Sequence, residues 1–475
     1  MFERIREVRN KVAQQSELRR LLRDCRKLLG ERGEANSAVV AARVLEHYGK
    51  LADETAGGFF EMLAAEFDPD PAQVVELALS YQATRSPQDL VSLFYAIESP
   101  RQELLRRLNR TQGGTAAIVA MRARLLEHLR SDPVLTAVDA DFAHLLSSWF
   151  NPGFLRLVQV DWTSPALLLE KLVMYEAVHQ IDGWKDLRRR LEPDRRCFAF
   201  FHPTLPNEPL IFVEVALVPE IPAGIAPLID RDAAPQDDER SFKVAVFYSI
   251  SNCQAGLRGV NLGNFLIKQV AQELHRQIPG IKTFCTLSPI PGFARWLGKL
   301  EQIESSEFKP AEVKRLNEAL GGLRSRYGSD PAKWVRAAAP LAAPVEPAGV
   351  SDDPDQQRRL SREHKALERQ AKAKAKAQQA QRDLDNEALG RLCAFYLCQS
   401  GSAEFHGADP VARFHLNNGA RLERINPRAD LSRKGRVESC GFMVNYLYDL
   451  GEVEENHEKF VAGEVRASRA VRALL

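Results

Sequence analysis

The stretch from Val244 to Phe293 constrains this chain more than any other. With its two lead-in residues it reads FKVAVFYSISNCQAGLRGVNLGNFLIKQVAQELHRQIPGIKTFCTLSPIPGF. Val244, Val246 and Tyr248 alternate with neighbours that are also apolar, as in a strand buried on both faces. The loop Gly256-Leu257-Arg258-Gly259-Val260-Asn261-Leu262-Gly263 then opens a segment whose Phe265, Leu266, Val270 and Leu274 recur at helical spacing. A second apolar strand, Ile281 to Leu287, ends at Ser288-Pro289. A glycine-rich turn from a strand into a helix N-terminus suits phosphate, because small residues let the backbone approach and free N–H groups favour negative charge. The loop is no Walker A site, since no Lys-Ser/Thr follows its last glycine, and it lacks G-x-G-x-x-G. Three spaced glycines can equally be a purely structural turn.

The 475 residues leave room for two to four domains. A net charge of +2 points to neither nucleic acid nor membrane as a partner. No apolar run approaches the roughly 20 residues that span a bilayer. The N-terminal MFERIREVRNKVAQQ lacks the apolar core of a secretory signal, and its two glutamates argue against a transit peptide. Seven scattered cysteines without a C-x-x-C pair fit free thiols in a reduced compartment, with neither zinc site nor disulfide frame. The expected location is cytoplasmic.

Residues 1–148 read as helices in a bundle, a scaffold or oligomerisation domain, with breaks expected at Gly57-Gly58, Asp68 to Pro71 and Ser86-Pro87. They carry no His/Glu pattern of a di-metal site. From 149 to 475 the texture changes. FLRLVQVDW reads as a strand, and a helix follows with Ser164 as expected N-cap and Glu170 and Lys171 on its polar face. RCFAFFH, PLIFVEVALV and the Val244 strand then indicate a mixed sheet. Leu217 to Ser241 reads as a surface loop. Residues 337–355 read as a linker or mobile loop, and 360–389 as a solvated helical insertion projecting as a hairpin arm. Asn417-Asn418-Gly419 marks a turn and CGFMVNYLY a final strand. The expected fold class is α+β, an all-helical bundle followed by a mixed-sheet domain.

Ser288, in TLSPIPGF, reads as a proline-stiffened loop serine capping the next helix or as a reactive hydroxyl; no G-x-S-x-G elbow surrounds it. His415, in RFHLNNGA, reads as a structural hydrogen-bonder or a proton carrier. Tyr446 and Tyr448 share one strand face and by default pack there. Cys285 and Cys440 lie in apolar strands without a base nearby and are expected to be inert.

Strand, R-G-x-x-x-G loop, helix and strand resemble the acyl-CoA-binding core of the GCN5-related acetyltransferase fold, with Asn261 where the usual loop has its middle glycine. More specifically, YSISNCQAGLRGVNLGNFLIKQV, FCTLSPIPGF, FHLNNGARLERINPRADLS and ESCGFMVNYLY, with HPTLPNEPLIFVEVAL, resemble the malonyl-CoA decarboxylase family from about Phe150 to Tyr448. The resemblance implies an acetyltransferase-like catalytic domain behind a helical one, in a homo-oligomer. It implies a malonyl-CoA-binding loop at Arg258, Gly259, Val260, Asn261, Leu262, Gly263 and Asn264. It also implies a catalytic Ser288 and His415, with Tyr448 assisting. Some members carry an acid where this chain has Asn261.

Losing CO2 from malonyl-CoA leaves an enolate, with the thioester carbonyl as electron sink, so neither metal, biotin nor pyridoxal is required and CoA enters only as part of the substrate. Such a site must hold CoA, donate hydrogen bonds to the thioester oxygen and protonate the carbanion. Backbone N–H groups from Ser249 to Cys253 are the expected oxyanion donors, and His415 with Ser288 the proton relay. Ser288 as a covalent acyl acceptor would need an activating base. Two further readings stand beside this one: an acyltransferase of the same fold, and a non-catalytic helical interaction protein.

Overall fold

The computed structural model describes residues 2–30, 33–129, 131–260, 262, 266–305, 308–336, 354–399 and 409–475. The chain begins with eight helices: α1 (Phe2–Gly30), α2 (Glu34–Gly49), α3 (Asp53–Glu66), α4 (Pro71–Thr84), α5 (Pro87–Ile97), α6 (Pro100–Asn109), α7 (Gly114–His128) and α8 (Thr136–Trp149). Two of the expected breaks are helix starts with a local cause. Asp70 accepts the Ala72 N–H at 3.0 Å ahead of Pro71, and Ser86 accepts the Asp89 N–H at 3.3 Å ahead of Pro87. The third is no break. Gly57-Gly58 lies inside α3, where a Cβ on Gly57 would sit 3.3 Å from the His128 ring and one on Gly58 3.3 Å from Leu18. Those glycines let α3 approach its neighbours closely. Helices α4 and α5 differ from the rest, because neither has a single buried residue.

The second part is built on β1 (Arg156–Val160), α9 (Ala166–Tyr175), α10 (Gly183–Arg190), β2 (Arg195–His202), β3 (Leu205–Val218), α11 (Ala226–Ile229), β4 (Val244–Asn252), α12 (Leu266–Gln277), β5 (Thr283–Thr286) and β6 (Ser288–Pro289). Helix α9 starts without Ser164, whose hydroxyl instead accepts the Asp161 N–H at 3.1 Å. Lys171 is buried and paired with Glu208 at 2.7 Å rather than solvated. Strands β1 to β4 are antiparallel neighbours, and β5 lies parallel to β4 across the α12 crossover. β4 is buried along almost its whole length, through the apolar run Val244 to Tyr248 and then through Ser249 and Ser251, which bond to Glu176. Leu266, Ile267, Val270, Ala271 and Leu274 form the buried face of α12.

The chain continues with α13 (Phe293–Lys299), α14 (Pro310–Tyr327), α15 (Pro331–Arg336), α16 (Pro354–Cys398), α17 (Pro410–Asn417), β7 (Arg421–Asn426), α18 (Arg433–Ser439), β8 (Met443–Tyr448), α19 (Val453–Val461) and α20 (Arg469–Arg472). The expected insertion at 360–389 is no hairpin. It is part of one 45-residue helix, α16, whose last turns, Leu392 to Leu397, are buried in the core. Asp385 ties α16 to α14 through Arg326 at 2.8 Å and the Tyr327 hydroxyl at 2.5 Å. Most of the expected mobile loop, residues 337–353, lies outside the described residues. One core cluster runs from Leu21 on α1 through Phe150 to the sheet and α16, so helices and sheet share their apolar interior.

Candidate active site

Strand β8 closes the sheet beside β5 and β6 and carries β7 on its other edge. Its register against the segment 284–289 is constant, Phe284 opposite Tyr448 and Pro289 opposite Met443, but the ladder opens between Cys285 and Ser288. There the Thr286 side chain replaces a backbone partner, its Oγ1 accepting the Tyr446 N–H at 3.2 Å, while the Thr286 carbonyl accepts from Asn445 Nδ2 at 2.8 Å. Strand alternation puts Thr286, Ser288, Tyr446 and Tyr448 on one face. Helix α17 covers that face. Asp409 accepts the Val411 and Ala412 N–H groups and starts the helix ahead of Pro410, while its other oxygen accepts the Gly292 N–H at 2.9 Å.

His415, in the last turn of α17, stacks on Tyr446 with ring centroids 4.6 Å apart. Its Nε2 lies 2.9 Å from Ser288 Oγ and its Nδ1 lies 2.8 Å from the Tyr448 hydroxyl. Ser288 Oγ in turn donates to Thr286 Oγ1 at 2.9 Å. Four side chains thus form one hydrogen-bonded row, Thr286–Ser288–His415–Tyr448, and all four are buried. Burial alone pushes the His415 imidazole from 6.5 down to about 3, because no carboxylate stands behind it. Burial likewise holds the Tyr448 phenol well above its ordinary value. A neutral imidazole has one donor and one acceptor, and the Ser288 proton is given to Thr286, so the row runs from the Tyr448 hydroxyl to Nδ1 and from the Nε2–H to Ser288 Oγ.

Ser288 is therefore a strand residue, not a loop serine, and it caps nothing: Gly292 occupies the N-cap of α13. His415 belongs to a helix end rather than to a loop. Cys285 faces away from the row, and burial pushes its thiol up to about 12, leaving it inert. Cys440, on the turn after α18, is likewise pushed up to about 12.

The glycine loop lies at one end of a cavity of about 940 Å³. Leu257 to Val260 form a type II turn: Arg258 has φ −56 and ψ 127, Gly259 has φ +79, and the Val260 N–H donates to the Leu257 carbonyl at 3.0 Å. Gly259 is required by that positive φ. Arg258, Gly259, Val260 and Leu262 line the cavity together with Phe414 and Asn417 of α17, the helix that carries His415, and Asn418 just after it. Asn261, Gly263 and Asn264 lie outside the described residues. Ser288 and Tyr448 in the sheet and His415 on α17 are buried and do not themselves line the cavity.

Strand β4 supplies the cavity wall from Ile250 to Asn252, and Cys253 continues it. Its pairing to β5 stops at Phe247, and a bulge at Tyr248 bends it, so its last residues keep β3 as neighbour but have lost β5. The Cys253 N–H is committed to the Leu210 carbonyl at 2.9 Å, which removes it from the expected oxyanion donors. Alternation along the strand aims the Ile250 and Asn252 N–H groups at the open edge. The strand end is pinned by buried Glu176, which accepts from Ser249 Oγ at 2.7 Å and Ser251 Oγ at 3.0 Å. Sequence reading missed Thr286, Glu176 and Asp409. Only Asp409 left a signal, the Asp-Pro pair of a helix start. Among the described residues no group of three or more His, Cys, Asp or Glu converges as metal ligands would, and no helix is long and apolar enough to cross a membrane.

Two family models match the chain: residues 67–150 fit the malonyl-CoA decarboxylase N-terminal domain, and residues 153–475 the malonyl-CoA decarboxylase C-terminal domain. The mitochondrial malonyl-CoA decarboxylase of Rattus norvegicus is 33% identical over 465 residues, covering 94% of this chain and 87% of its own. That of Mus musculus is 33% identical over 473 residues, with the same coverage. The crystal structure of malonyl-CoA decarboxylase from Rhodopseudomonas palustris superposes with a TM-score of 0.75 at 42% identity, covering 96% of this chain and 99% of that one. The one from Agrobacterium vitis gives 0.74 at 42% identity, with the same coverage. The chain belongs to the malonyl-CoA decarboxylase family.

Proposed function

We propose that this protein is a carboxy-lyase that converts malonyl-CoA into acetyl-CoA and CO2, with Ser288, His415 and Tyr448 as its proton relay. The observation that carries the activity is the extent of the family match, 33% identity across 94% of the chain. The CoA pyrophosphate meets the turn at Arg258 and Gly259, where an exposed guanidinium and the Gly259 backbone N–H supply positive potential. Asn261, Gly263 and Asn264 belong to the same loop, and Asn261 serves to position it. The thioester oxygen takes hydrogen bonds from the Ile250 and Asn252 N–H groups.

The bond from the α-carbon to the carboxylate breaks, its electron pair enters the thioester enolate, and CO2 leaves. Each oxyanion donor of this kind contributes about 10²–10³ in rate. The α-carbon then takes a proton from the Ser288 hydroxyl, which is refilled from His415 Nε2 as Nδ1 takes the Tyr448 proton. Solvent restores the phenol. A thioester enolate is a far stronger base than a phenolate, so the relay runs downhill although Tyr448 is held well above its ordinary value. No cofactor enters this scheme, since the substrate's own carbonyl stores the electron pair.

The protein works as a cytoplasmic homo-oligomer assembled through its helical part. The α4–α5 hairpin supports this, because it exposes Val75, Leu79, Val91, Phe94 and Tyr95 and buries nothing, and a second copy of the hairpin would complete a four-helix bundle. The deciding experiment is incubation with malonyl-CoA and no acceptor, following acetyl-CoA and CO2. Product without an acceptor is expected, and Ser288→Ala should lower kcat by about 10²–10⁴. Acetyl transfer to an added amine in place of CO2 release would make the protein an acyltransferase instead.

A further inference from the structure

Arg122, on α7 of the helical part, reaches into the glycine loop. Its side chain is almost fully buried, and Nη1 donates to the Gly256 carbonyl and to the Arg258 carbonyl, each at 2.8 Å. Nε donates to Asp139 Oδ1 on α8 at 2.7 Å, with Nη2 at 3.4 Å from Oδ2. The approach of α7 is so close that a Cβ on Gly256 would lie 1.9 Å from the Val119 carbonyl oxygen. One guanidinium therefore spans an acidic anchor on the helical part and two carbonyls of the loop. Its planar fork allows this, whereas a lysine ammonium would not.

The consequence follows from the planar peptide. In a type II turn the central peptide, here Arg258–Gly259, can flip, and its C=O and N–H point in opposite directions. Holding the Arg258 oxygen against α7 turns the Gly259 N–H to the other side, where Gly259 lines the cavity. The neighbouring N–H groups are spent inside the turn: Leu257 donates to Gln254, Arg258 to Ala255 and Val260 to Leu257. Gly259 N–H has no acceptor among the described residues. Paired with Asp139, the Arg122 charge is largely neutralised, so its role is orientation rather than attraction.

We infer that Arg122 is a positioning residue for CoA: the helical part, through the Arg122–Asp139 pair, sets the peptide that presents the Gly259 N–H to the pyrophosphate. This rests on the reading of the loop as the CoA site. The test uses the full-length protein, with CoA titrated by calorimetry and malonyl-CoA turnover measured beside it. In Arg122→Met, the loss of the two bonds to a charged donor should raise the CoA Kd and the malonyl-CoA KM by about tenfold or more, while kcat stays within about threefold. Asp139→Asn keeps the guanidinium but frees its orientation, and should raise Kd and KM by roughly threefold to tenfold. If Arg122→Met does not fold, Asp139→Asn decides alone. A lowered melting temperature with Kd and KM unchanged in a folded variant would overturn the inference, because a merely structural pair gives that result. Wild-type protein that binds CoA but releases no acetyl-CoA would sink the decarboxylase reading and leave this one standing.

Discussion

If burial alone holds His415 neutral, acid should cost the fold a defined amount, and removing the imidazole should abolish that cost. The ring is buried between Ser288, Tyr446 and Tyr448, and its value falls from 6.5 to about 3. A shift of this size corresponds to something on the order of 5 kcal/mol between the two protonation states. The folded value lies below the unfolded one, so the unfolded chain takes up the proton first. The stabilisation is fully present above pH 6.5 and is lost as pH falls from 6.5 toward 3, at up to about 1.4 kcal/mol per pH unit. Denaturant unfolding of wild type and His415→Gln at pH 7.5, 6.0 and 5.0 measures it. The stability gap should shrink by about 1.4 kcal/mol per unit below 6.5. Comparison with the variant cancels other acid-sensitive groups, such as buried His179, which is lowered to about 4. At pH 7 only about one protein in 10⁴ would carry a charged His415, so kcat should show no His415-dependent inflection near 6.5. Parallel stability curves, or an inflection near 6.5 that disappears in the variant, would refute the neutral relay.

Two further perturbations address the ligand loop and the helical part. Arg258→Ala should raise KM more than it lowers kcat, by about tenfold for one phosphate contact, and a selective fall in kcat would remove Arg258 from phosphate binding. Phe94→Glu, on the exposed face of α5, should dissociate the oligomer in light-scattering chromatography while malonyl-CoA binding to the isolated chain persists; an unchanged mass would move the interface elsewhere.

Much was legible in the chain because the relevant signals are local. The β4–α12–β5 unit follows from an unbroken apolar run, a glycine turn and one amphipathic face. The starts at Asp70-Pro71 and Ser86-Pro87 follow from capping chemistry within three residues. The 45-residue α16 was misread as a hairpin because its apolar anchors gather in its last turns, leaving the earlier stretch without a stripe to show continuity. Gly57-Gly58 was misread as a break because glycine's propensity argues against helix, whereas close packing against His128 and Leu18 decides for it.

The sequence by itself determined the class of fold, the glycine loop and, through family resemblance, that Ser288, His415 and Tyr448 were candidates to be weighed together. Only the tertiary structure decided that they form one row with Thr286. Ser288 and His415 are 127 positions apart, and no local pattern records that α17 lays one ring against a gap in the β8 ladder. The same holds for Arg122, whose 134- and 136-residue reach to Gly256 and Arg258 leaves no periodicity or motif. Backbone preference and capping act within a few residues and can be read from a string of letters. Burial and hydrogen-bond direction are properties of what surrounds a side chain, and they exist only once the chain has folded.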